Sequence, residues 1–208
     1  MKISDLTDVF DLPLERYGLI AELAHRMAKR GLSFGKIALE KLVFLVQELY
    51  GVDCGYEFSL YTYGPFDSTL LADLDATAAL DGVDVEYHGQ QGYQISPGAE
   101  NEALRKHAAT LVGKHSKDLN RVIDEFGTMW ARSLELFATI VYVERDARSS
   151  DREPAVDYLV EVVHDLKPHF SADEINKAVA WLAERGYVRL AIDAPDRTKE
   201  PSQSVRGQ

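Results

Sequence analysis

Few side chains in this sequence have the type and spacing that covalent or acid–base chemistry needs. Asp73-x-Asp75 has the opening spacing of a calcium loop, but the glycine required at loop position six is Ala78 and the surrounding pattern is helical. His164, Asp165 and His169 flank Pro168. Two histidines five residues apart across a helix-ending proline are poorly placed to share a metal, and no third ligand stands near them. Ser68, Ser96 and Ser116 lie in no G-x-S-x-G frame. There is no G-x-G-x-x-G turn and no phosphate-cradling lysine loop. Cys54 is the single cysteine, beside Asp53, with no neighbouring cation to lower its thiol pKa. It can form neither an intrachain disulfide nor a cysteine metal cage. The expectation is a protein that is not an enzyme and uses no cofactor and no metal.

The most distinctive stretch is Tyr56-Glu57-Phe58-Ser59-Leu60-Tyr61-Thr62-Tyr63-Gly64-Pro65-Phe66. Its alternation predicts a strand over 56–63, broken by Gly64-Pro65. Tyr56, Phe58, Leu60 and Thr62 share one face, and Tyr61 and Tyr63 share the other. One face must meet the core. The other meets a second layer of the chain or presents tyrosine to a partner. A partner surface would then comprise Tyr61, Tyr63, Gly64, Pro65 and Phe66, rimmed by Asp67 and Asp73. Gly64 is expected to need a backbone angle that other residues resist.

Charge narrows the choice of partner. The 208 residues carry 23 Lys and Arg against 34 Asp and Glu, a net charge of −11. From Asp53 to Leu104 there is no Lys or Arg, and ten acids stand there. Reading DNA bases takes Arg, Lys, Asn or Gln, and phosphates need cations. A helix over 66–80 exposing Ala72, Asp73, Ala76 and Ala79 would serve neither purpose. The segment suits a basic protein partner instead, or is simply a solvated face. Basic stretches occur at Arg26, Lys29, Arg30, Lys36 and Lys41, and at Arg105, Lys106, Lys114, Lys117 and Arg121. Nucleic-acid binding through them is the less favoured reading. The start of the chain lacks a signal-peptide pattern and no 18-residue apolar run occurs, so a soluble cytoplasmic protein with no membrane contact is expected. Oligomeric state is not legible.

The elements that must position these residues follow from periodicity. Asp11-Leu12-Pro13 opens a helix with Leu14, Tyr17, Ile20, Leu23, Ala24, Met27 and Ala28 on its buried face, ending at Gly31. A second helix over 36–50 is broadly apolar and suits the centre of a core. Pro65 opens a helix to about Leu80. Val83–Tyr87 and Tyr93–Ile95 form a hairpin around Gly89 to Gly92. A helix runs over 100–125 with a weak middle at 113–116, and a break follows at Gly127-Thr128. Further helices run over 130–145, 154–166 and from a capping box at Ser171 to Gly186. Tyr187–Ile192 reads as a strand, and 193–208 as a disordered tail. The expected class is mainly α (α+β). A winged-helix-like module with a β-hairpin occupies 1–98, and a helical module with a partial wing occupies 99–192.

Lys41-Leu42-Val43-Phe44-Leu45-Val46-Gln47, the 56–66 aromatic strand ending in Tyr63-Gly64-Pro65, and Leu70 with Asp73-Leu74 resemble the YwgA-like prokaryotic family. Leu134 to Thr139, Lys167-Pro168, and Ala178 with Leu182 before Gly186 fit the same resemblance, which covers roughly residues 35–190. More distantly the chain is similar to the Panacea antitoxin domain of the SocA type. That likeness implies neutralisation of a toxin by protein contact, in a toxin–antitoxin or phage-defence setting. It brings no catalytic residue. The expectation is a non-enzymatic protein-interaction module; the alternative is a winged-helix-like transcriptional regulator using the basic stretches.

Overall fold

Pro13, with its fixed φ, caps the first helix, α1 (Leu14–Lys29). The computed structural model describes residues 12–151 and 153–191; Asp11, Ile192 and the 193–208 tail expectation lie outside these. The fold is mainly α (α+β), with helices and two small antiparallel sheets. Its two compact units meet in sequence at Tyr142 and Val143. The expected division at 98/99 is therefore displaced. The helical segments over 101–126 pack on α1 and on the second helix, α2 (Lys36–Tyr50), and so join the first unit.

In the first unit α2 is buried without interruption from Leu39 to Val46, as its broad apolar arc requires, and Gly51 closes it in the left-handed conformation. A hairpin follows, β1 (Ser59–Tyr61) and β2 (Gly64–Phe66), pairing Ser59 with Phe66, Leu60 with Pro65 and Tyr61 with Gly64. This corrects the expected single strand over 56–63. Gly64-Pro65 does not break a strand; it builds the second one across a two-residue turn at Thr62 and Tyr63. The next helix, α3 (Ser68–Ala79), is opened by Asp67 rather than by Pro65, the Asp67 carboxylate accepting Thr69 N at 2.7 Å. The predicted second hairpin is present as β3 (Val83–Tyr87) and β4 (Tyr93–Pro97), closed by a short 3₁₀ turn at Gly89–Gln91. The α1–α2 linker touches it, Ile95 N donating to Phe34 O at 2.6 Å.

The long helix expected over 100–125 is α4 (Asn101–Arg105), a 3₁₀ turn and α5 (Ala109–Phe126). His115 leaves helical geometry inside the segment where weakness was expected. The backbone there serves another partner: Arg26 Nη1 donates to Ser116 O at 3.0 Å, and also to the side-chain Oδ1 of Asn120 at 2.9 Å. Arg26 also donates to Glu22 Oε1 at 2.7 Å, and Glu22 pairs with Arg105 of α4. The break at Gly127-Thr128 stands, and α6 (Ala131–Ser149) follows it.

The second unit holds the end of α6, α7 (Val156–Leu166) and α8 (Ala172–Glu184), the last opened by the predicted Ser171/Glu174 capping box. Buried Glu144 pairs with Arg145 and Arg148 and accepts Arg189 N at 2.9 Å. The strand expected over 187–192 is a second correction, since residues 187–191 form no strand. Their backbone bonds run one at a time, Tyr187 N to Leu182 O, Arg145 to Tyr187 O, Arg189 N to the Glu144 carboxylate and Ala191 N to Pro154 O, and not to a partner strand.

Candidate functional site

The β1–β2 tip presents Tyr61 and Tyr63, which are 64% and 60% exposed. Tyr61 leans on half-buried Phe66 with ring centroids 5.5 Å apart. The other face of the same segment enters the core: Phe58 meets Phe44 edge-on at 5.3 Å, and Tyr56 is buried. The alternation of the segment therefore divides rings between core and surface.

Beneath the tip lies a buried polar layer. Lys41 is 0% exposed; its ammonium donates to Pro65 O at 2.7 Å and sits 3.3 Å from Glu40 Oε2. Buried Glu40 keeps its other carboxylate oxygen without a hydrogen-bond partner, and burial pushes its pKa up despite Lys41. Gly64, beside the turn, and Pro65 are buried, which corrects their place on the expected partner surface. A Cβ at Gly64 would lie 3.1 Å from Thr139 Oγ1, and its φ is +87°. Gly64→Val is expected to cost about 1–3 kcal/mol through left-handed backbone strain and crowding; an unfolding curve matching the parent's would show the glycine to be incidental.

Asp67 and Asp73 do not form an exposed acidic rim, a further correction. They are 8% and 5% exposed and act internally. Asp67 ties the two ends of the hairpin segment, accepting Glu57 N at 2.7 Å as well as Thr69 N. Asp73 accepts the Tyr56 hydroxyl at 3.0 Å and pairs with Arg16 Nε at 2.8 Å. Burial raises the Asp73 pKa above its usual 3.8, more than Tyr56 and Arg16 lower it. The folded state thus binds this proton more readily than the unfolded chain. Asp73 then favours folding least once it is charged, as pH rises from its unfolded value through its raised folded one. The cost of Asp73→Asn is accordingly expected to be larger near pH 4 than at pH 7, measured by urea unfolding at both; a cost that grows with pH would reverse the sign.

The eight other acids between Asp53 and Leu104 are exposed, among them Asp53 and Glu57 on the approach to the tip. Four cations of the basic stretches are engaged inside the first unit, while Lys29, Lys106, Lys114, Lys117 and Arg121 are exposed. Lys41 and Arg26 are buried, Arg105 is on Glu22, and Arg30 donates to Asp124 at 3.0 Å and Asn120 at 2.8 Å. Sequence reasoning missed the Glu40–Lys41 pair, although a lysine inside an unbroken apolar helix was the signal for it. Cys54 is buried and its thiol is pushed up to about 12 by desolvation and Asp53, which removes it as a nucleophile. His164 is taken up locally, Nδ1 lying 2.8 Å from Phe170 O. No group of His, Cys, Asp or Glu among the described residues is arranged to hold a metal ion, and no helix among them is long and apolar enough to cross a membrane. No protein-family model matches the chain, and no curated protein matches it.

Proposed function

We propose that this chain is a non-enzymatic protein-interaction module of winged-helix-like plan, working in the cytoplasm. Its β1–β2 tip engages a basic protein partner. The resemblance noted above supports a partner among toxins or phage-defence components. One observation carries this reading: two tyrosines, Tyr61 and Tyr63, stand exposed on a hairpin anchored by a buried lysine and a buried aspartate. Rigid aromatic rings lose little entropy when they are covered, and exposed acids nearby speed encounter with a cation-rich surface. A regulator reading DNA through the basic stretches has less support, because Arg26, Arg30, Lys41 and Arg105 are engaged within the fold and fewer exposed cations remain than the sequence offers.

Tyr63 makes the cleaner test, because its side chain can be removed at little cost to folding. Crosslinking in the source cells, with the parent and Tyr63→Ala compared, should identify a protein held by the first and lost by the second. Titration of that purified protein should give a Kd about 30-fold weaker for Tyr63→Ala, equivalent to about 2 kcal/mol. Glu57→Lys should mainly slow association, with the loss shrinking at high salt. Equal affinity of parent and Tyr63→Ala would remove the tip from consideration. Salt-dependent retention of both proteins on duplex DNA would favour the regulator.

A further inference from the structure

A cavity of about 420 Å³ opens on the first unit, between the α1–α2 linker, the first turn of α2, the start of β4 and the segment before α6. Its size falls within the roughly 300–1,000 Å³ of small-molecule sites. Leu32, Ile37 and Met129 supply apolar wall, and Tyr93 and Trp130 supply rings. Trp130 is 86% exposed, an unusual position for the largest apolar side chain unless something covers it.

Polarity selects among occupants. Among the described residues, Lys36 is the one in the lining that is charged at neutral pH, and none there is a carboxylate. Its ammonium lies 4.5 Å from the centre of the Tyr93 ring, which holds it at the wall. Its ion partner is Asp75 at 3.8 Å, on a side chain that is mostly solvent-exposed. A pair so long and so wet is weak and is readily exchanged for a better placed anion. The first turn of α2 has no acidic residue and Gly35 gives no side-chain cap, so the positive end of that helix adds to the lysine.

We propose that this cavity binds a small aromatic carboxylate, its ring against Trp130 and the apolar wall and its carboxylate on the Lys36 ammonium. The site is independent of the hairpin tip and of any protein partner. The probe is 2-naphthoate, with neutral 2-naphthamide as its control, titrated into the full chain and followed by amide and indole NMR shifts. Saturable shifts are expected at Lys36, Ile37, Tyr93 and Trp130, with a Kd of about 1 mM or tighter for a ligand of this size. Binding should weaken at least about tenfold for 2-naphthamide, for Lys36→Gln and for Trp130→Ala. Neither substitution removes a core side chain, and a parent-like spectrum checks that each variant is folded. Absence of saturable shifts up to about 20 mM, well above that ceiling, would overturn the proposal. So would equal binding of the amide, undiminished binding by Lys36→Gln, or saturable shifts confined to other residues.

Discussion

Replacing Lys41 with methionine is expected to destabilise the first unit by about 3–5 kcal/mol, the range for removing one partner of a buried ion pair. Methionine fills much of the lysine volume, so the cost is not mainly that of a cavity. It arises because Pro65 O loses a 2.7 Å donor and the Glu40 carboxylate loses the cation beside it, both out of water. Glu40 already holds its proton more tightly than usual because it is buried. Without Lys41 it should hold it more tightly still, so acidification should shrink the cost. Adding Glu40→Gln to Lys41→Met should likewise recover part of the loss, since a neutral amide needs no counter-ion. Urea unfolding of the parent, both single variants and the double variant would measure this. A cost below about 1 kcal/mol, the scale of exposed pairs, would mean that the ammonium reaches water.

Glu22→Ala is expected to cost about 3 kcal/mol, near the low end for a buried pair because Arg105 retains partial access to solvent. Glu22 is buried and holds Arg26 on its own helix and Arg105 on α4, so its loss takes the carboxylate from two cations at once, although Arg26 keeps Ser116 O and Asn120 Oδ1. Those arginines outweigh the desolvation that opposes them and lower the Glu22 pKa below its usual 4.5. Its stabilisation is therefore fully present above that value and is lost as pH falls through the lowered folded value. The difference between parent and Glu22→Gln should vanish on acidification. That is the same direction as for Asp73→Asn only if the Asp73 sign is wrong, so unfolding both variants at pH 4 and pH 7 tests the two assignments against each other.

Much of the helical framework was legible because it rests on local pattern. The α1 stripe, the continuous burial of α2, the Ser171 capping box and the weakness near His115 each follow from residues within one or two turns. Period two put Tyr61 and Tyr63 on the face away from Tyr56 and Phe58 but left open whether a second layer covers it; both are exposed, Tyr63 from the turn. What failed depends on distant residues. Gly64-Pro65 reads locally as a stop, yet Pro65 O meets Lys41 from 24 positions earlier and Gly64 backs onto Thr139. Asp73 reads as a surface acid, yet Tyr56 and Arg16 draw it inward. Tyr187–Ile192 has strand composition, but composition supplies no partner, and residues 187–191 find a carboxylate instead.

Pro65 also bears on how the chain avoids self-association. A two-stranded hairpin with exposed tyrosines has the makings of an aggregation seed, because an open edge invites another chain to add a strand. At the centre of β2 that invitation is withdrawn. Proline offers no N–H, and its carbonyl is already occupied by an ammonium from the core. Main-chain strand addition along the β2 edge is thus blocked at its centre, and a strand joining this hairpin would have to come by the β1 side.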